Sequence, residues 1–198
     1  MKSMRVWLAV SIALSLVAVA GIAAHDDDHG EKRHHGERLS AKLLGINEVP
    51  SVSTPATGHF KARISADGQS IEYELTFGDL GGVIAQSHVH IARKNVNGGI
   101  VLWVCQGTVR APAQVALLTP ECPQSGTVTG TWTAANVTPV ATQQIGNLEL
   151  DEVMALIRQG AAYVNIHTAP SPGGEIRGQI RVDGDRDDHD HGDHDRRD

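Results

Sequence analysis

The stretch Ile71-Glu72-Tyr73-Glu74-Leu75-Thr76-Phe77 decides the fold class. Its apolar residues Ile71, Tyr73, Leu75 and Phe77 alternate with Glu72, Glu74 and Thr76, the period-2 pattern of a strand with one buried and one wet face. Upstream, Asp67-Gly68 is a hairpin-turn signal, and before it His59–Ser65 alternates Phe60, Ala62 and Ile64 against His59, Lys61 and Arg63. The chain therefore begins its folded part with β-structure.

Working outward, Ser40–Leu44 is a brief apolar strand that ends in a turn at Asn47–Pro50. Gly78–Gly82 is a loop, and Ile84–Ala92 and Ile100–Cys105 read as strands separated by a turn at Asn95–Gly99. Gln106–Ser125 is a long connection with three prolines, and Thr127–Thr133 is a β-branched strand. Only Leu150–Gly160 looks helical: Val153, Leu156 and Ile157 share a face, Asp151 and Glu152 suit the first turn, and Gly160 is placed as the stop. Ala162–Thr168 and Glu175–Val182 are the last strands, with Pro170, Pro172, Gly173 and Gly174 turning between them. About eight short strands with one small helix predict an all-β sandwich.

The ends are of another kind. Lys2 and Arg5 precede an apolar run from Val6 to Ala20, and the small residues Ala20, Gly21, Ala23 and Ala24 lead to a polar break at His25. This is the layout of a secretory signal over residues 1–24, cleaved after Ala20, Ala23 or Ala24; an uncleaved anchor is the rival reading. Export predicts a periplasmic or secreted protein and a Cys105–Cys122 disulfide, which would stabilise by about 3 kcal/mol in the chain-entropy model. The same two cysteines as a metal pair would lack CxxC spacing.

Residues 25–38 contain no apolar side chain and residues 183–198 are largely Asp, His and Arg, so both segments are expected to be disordered. Seven of the eleven histidines lie in these two tails, which either solubilise the protein or collect metal weakly. The formal net charge of -6 sits mostly in the second tail, where three Arg face eight Asp; Leu39–Val182 has nine Lys+Arg against ten Asp+Glu. No basic patch is present, which argues against nucleic acid as a partner. The folded domain is thus placed at residues 39–182.

Candidate chemistry lies in Ser87-His88-Val89-His90-Ile91 and in Tyr163-Val164-Asn165-Ile166-His167-Thr168. In a strand His88 and His90 share one face, as do Asn165 and His167. Two imidazoles at i and i+2 with a third from a neighbouring strand would make a three-histidine metal site with an open position. The structural alternative is three histidines hydrogen-bonded in or near a core. His59 is a candidate fourth ligand, and Asn165 either orients a ligand histidine or bonds to backbone. Glu175 and Arg177 read as a structural ion pair that fixes the last hairpin and reaches toward Glu48, with an anion or partner contact as the alternative. No GxSxG or phosphate-cradling glycine motif is present, so no catalytic residue is assigned.

Leu44-Gly45-Ile46-Asn47-Glu48-Val49-Pro50, Ser87-His88-Val89-His90 and the run from Gly160 to Ile180 together resemble the CHRD family, the chordin-type domain also found in exported bacterial proteins. The resemblance covers Leu39–Val182 and implies a Greek-key sandwich similar to that of copper/zinc superoxide dismutases. By that likeness His88 and His90 fall where a copper-binding pair lies, and His167 where a late copper-ligand histidine lies. A histidine-rich zinc loop has no counterpart here, so a mononuclear copper site is implied, with zinc as the alternative metal, rather than dismutase activity. The family's extracellular occurrence implies a different reading too, an interaction module without metal; a copper redox enzyme is the third.

Overall fold

The computed structural model describes residues 36–184. The segments read as a signal, most of the first tail and nearly all of the second lie outside these residues. Nine antiparallel strands run β1 (Arg38–Leu44), β2 (Thr57–Ile64), β3 (Ile71–Gly78), β4 (Ile84–Ile91), β5 (Gly99–Gln106), β6 (Gly126–Trp132), β7 (Ala162–Thr168), β8 (Ile176–Gln179) and β9 (Arg181–Val182). Two helices join them, α1 (Ala113–Ala116) and α2 (Leu150–Arg158). The hydrogen-bonded order is β5-β4-β7-β8-β1-β2-β3-β6, with β9 beside β1. The fold is all-β with one helix longer than a single turn, as the sequence predicts.

The alternation in β2 and β3 does what its period requires. Phe60, Ala62, Ile64, Ile71, Tyr73, Leu75 and Phe77 all turn into one core, and the residues between them face solvent. Ser65 Oγ accepts from the Gln69 and Ser70 amides across the Asp67-Gly68 turn, and Gly68 takes the positive φ of 68° that glycine tolerates. The far ends of the strand order approach each other: Tyr73 Oη on β3 donates to the Val104 carbonyl of β5 at 2.8 Å. Trp132 Nε1 on β6 donates to the Trp103 carbonyl, also at 2.8 Å. These two bonds tie the open edge of a nearly closed sheet.

Strand β8 meets β1 at a single residue pair, Leu44 with Arg177, whereas β7 pairs with β8 through four. Glu175–Val182, expected as one strand, is therefore two: β8 pairs with β7, and after Ile180 the chain shifts to pair with β1 through Arg181 and Val182. Helix α2 buries Leu150, Val153, Met154 and Ile157 in the main core and leaves Asp151 and Glu152 exposed in its first turn. Gly160, at φ 66°, ends it, its amide N–H donating a hydrogen bond to the Ile157 carbonyl.

Strands β4 and β7 do not alternate wet and dry, because both of their faces are covered. Val89, Ile91, Val164 and Ile166 face the main core. The opposite face lies partly under residues 107–122, where Ala111 and Val115 of the segment holding α1 pack on Trp103. That segment is fastened by the Cys105–Cys122 disulfide and by Gln106. The Gln106 side chain donates to the Ala116 and Thr119 carbonyls and accepts from the Ala111 amide.

Candidate metal centre

The covered face of β4 and β7 carries the chemistry. His88 pairs across the ladder with Asn165, and His90 with Tyr163, while Gln86 sits opposite His167. Period 2 then brings His88 and His90 beside Tyr163, Asn165 and His167 on one face. The ligand nitrogens of His88, His90 and His167 lie within 4.8 Å of one another, and all three residues are buried. The three sequence-selected histidines thus form a cluster that could hold one metal ion. His59 is not part of it: it points to solvent from β2, between Lys42 and Thr76 on neighbouring strands.

Each ring is held differently. His90 Nδ1 lies 2.9 Å from the Gly98 carbonyl and its Nε2 lies 3.1 Å from Asn165 Oδ1. His167 Nδ1 lies 2.9 Å from the Pro172 carbonyl and its Nε2 lies 3.0 Å from the same Asn165 Oδ1. His88 is fully buried, and no protein group bonds either of its ring nitrogens. The rings of Trp103, at 4.3 Å between centroids, His90 and His167 surround it.

Burial disfavours the charged form of all three rings. It pushes His88 down to about 2, with His167 and His90 adding repulsion. It pushes His90 down to about 4, against the hydrogen bond to the Gly98 carbonyl, and it lowers His167 as well. Neutral imidazole is the form that can bind metal, and burial keeps all three rings in that form at neutral pH.

Glu175 and Arg177 do not form the expected ion pair; among the described residues the two ion pairs are Arg110–Glu121 and Arg158–Glu37. Glu175 precedes β8 and accepts instead from Thr54 Oγ1, the Gly81 amide and Thr168 Oγ1. Burial raises its carboxyl, but these three donors outweigh burial and hold it below its ordinary value. Arg177 donates to Asn97 Oδ1 and the Val96 carbonyl and lies 3.3 Å over the Tyr163 ring. Tyr163 in turn stacks on His90 with centroids 4.7 Å apart. Arg177 does interact electrostatically with Glu48, a buried carboxyl that burial raises and Arg177 partly lowers.

The residue that sequence reasoning left undecided is the hub. Asn165 Nδ2 donates to Glu48 Oε1 at 3.5 Å, its Oδ1 meets both histidines, and its backbone carbonyl accepts from Ser87 Oγ. The period-2 run Tyr163, Asn165, His167 carried that signal; the position of Trp103 needed the β4–β5 register, which no local pattern supplies. Among the described residues no helix is long and apolar enough to cross a membrane. No curated protein and no solved structure matches the chain. The family model for the CHRD domain matches residues 39–180, nearly all of this β-structure, and the chain belongs to the CHRD domain family.

Proposed function

We propose that the protein is an exported metal-binding CHRD protein whose His88, His90 and His167 bind one copper ion. The observation that carries this reading is His88, an imidazole sealed in the protein with both ring nitrogens lacking a protein partner. A buried polar atom without a partner costs about 1–3 kcal/mol, and a metal converts that liability into a bond. The other two rings have Nδ1 against a backbone carbonyl, the outer-shell arrangement that fixes a ligand histidine and leaves Nε2 for metal. Imidazole suits copper and zinc, and copper stands above zinc in the affinity order of divalent ions. The disulfide and the family fit an extracytoplasmic protein.

A second reading, an interaction module, is favoured by one feature. Leu117 is 100% exposed, and Leu118 and Val109 are also exposed on the disulfide-fastened segment. The two readings separate experimentally. The chain, with Ala at the seven histidines outside the described residues, is titrated with Cu(II), Cu(I) and Zn(II) against a competing chelator. One equivalent bound, lost in His167→Ala, supports the metal; no binding beyond chelator competition ends the metal reading and leaves the exposed leucines as the lead.

A further inference from the structure

We propose that Asn165 is the fourth ligand, its Oδ1 completing a closed centre of three imidazole nitrogens and one amide oxygen. This rests on the metal reading above and replaces the open position that three histidines alone would leave.

The argument is one of lone pairs. A neutral imidazole has one proton and two nitrogens. His90 and His167 each have both nitrogens facing an acceptor oxygen, a backbone carbonyl at Nδ1 and Asn165 Oδ1 at Nε2. One of the two contacts at each ring must therefore set lone pair against lone pair. If the protons lie on Nδ1, bonding the Gly98 and Pro172 carbonyls, two Nε2 lone pairs and the Asn165 oxygen crowd one point. His88 adds a ring with no protein partner beside them. Those three acceptors, aimed together with their ring protons turned away to the Gly98 and Pro172 carbonyls, are the electrostatic complement of a cation.

The distances at Asn165 agree. In a tetrahedron with metal–nitrogen bonds near 2.0–2.1 Å, neighbouring ligand atoms stand about 3.3 Å apart. Asn165 Oδ1 stands 3.1 Å from one Nε2 and 3.0 Å from the other. The amide is also held with its oxygen inward, because Nδ2 donates outward to the Glu48 carboxylate. Gly174 keeps that contact close: a Cβ there would collide with Glu48 Oε1 and crowd Asn165 Nδ2. Glu48 is thus a positioning residue and Asn165 the ligand.

Two consequences follow from chemistry. A donor set of imidazoles and one amide oxygen, with no thiolate or thioether, favours a divalent ion over Cu(I). A closed sphere holds its metal without offering a place for substrate, as structural sites do.

The experiment uses the full chain with the seven outlying histidines replaced, loaded with one equivalent of Cu(II). Metal affinity, the visible d–d band and the band produced by added azide are compared for the parent, Asn165→Ala and Asn165→Asp, with thermal melting of each metal-free form as the folding control. The parent should bind copper and give no azide band. Asn165→Ala should bind at least tenfold more weakly and gain the azide band at the vacated position. Asn165→Asp, which keeps an oxygen there, should retain copper, exclude azide and shift the d–d band. An azide band in the parent, or an unmoved d–d band and affinity in Asn165→Ala, overturns the ligand assignment while leaving a three-histidine site. If Asn165→Ala fails to fold, an unmoved band in Asn165→Asp overturns it equally. A parent that binds no copper takes down the metal reading itself.

Discussion

Replacing His88 with leucine should make the metal-free protein more stable while removing its capacity for metal. His88 is fully buried, and both ring nitrogens lack a protein partner. Each such orphan costs about 1–3 kcal/mol, and an apolar side chain of similar volume carries neither. Against that gain stand three ring contacts, to Trp103, His90 and His167, which contribute about 0.5–1.5 kcal/mol each when both partners are aromatic. The balance is a gain of about 1 kcal/mol for His88→Leu. For a domain of this size that is a rise of about 2–4 °C in melting temperature. Copper at a hundredfold excess over its dissociation constant should then stabilise the wild-type protein by about 2.7 kcal/mol and the variant not at all, reversing the order. The assay is calorimetric melting of both proteins with chelator and with copper. A metal-free variant that melts lower than wild type would refute the reasoning, because it would mean that His88 is satisfied in the apo protein by a bound water or by a shifted ring.

The pH dependence has a definite sign. Burial holds His88 and His90 below the roughly 6.5 of an unfolded histidine, so between these values the unfolded chain binds more protons. Metal-free stability is complete above about pH 6.5 and falls as pH drops toward the folded value near 4, whereas buried Glu48, which burial raises, acts in the opposite sense. Denaturant midpoints between pH 7 and 5 should decline for wild type more steeply than for His88→Leu; parallel profiles would contradict burial of a neutral ring. Removing the disulfide with Cys105→Ala and Cys122→Ala should lower stability by about 3 kcal/mol, given the 17-residue separation, and should loosen residues 107–122 first in hydrogen exchange. Gly174→Ala, at φ 124° and against Glu48, should weaken copper binding while leaving the secondary structure of the sheet intact; unchanged affinity would show that the Glu48–Asn165 contact does not matter to the centre.

The strands were legible where a side-chain period met one solvent-facing side. Ile71–Gly78 and Thr57–Ile64 alternate because their outer faces are wet; Ala162–Thr168, covered on both faces, has the predicted bounds because turn residues flank it. The last strand was not legible as two, because the shift after Ile180 is a change of pairing partner from β7 to β1, a tertiary event without a turn signal of its own. Helix α1 is four residues inside a proline-rich connection, too short for any period to register. At the centre, the histidine spacing sufficed to bring His88, His90 and His167 together in expectation, since the face of a strand is fixed by parity. Partners at long range were different. Glu175 and Arg177 are two residues apart, which suggested pairing, yet Thr54, Gly81, Val96 and Asn97 reach them from other parts of the chain. Parity says which side a residue takes; it does not say what covers that side.

The change of pairing partner in the final strand also sets an order of events. His88 and His90 lie on β4, but His167 waits on β7, and Arg177, which braces Tyr163 against His90, arrives later still on β8. A growing chain thus carries two histidines long before it has a cage. The cage exists only after β7 has slotted beside β4 and the chain through Val182 has paired with β1. Under the metal reading proposed above, occupancy would be decided where and when folding finishes, and a copy broken before β7 carries the pair without the pocket.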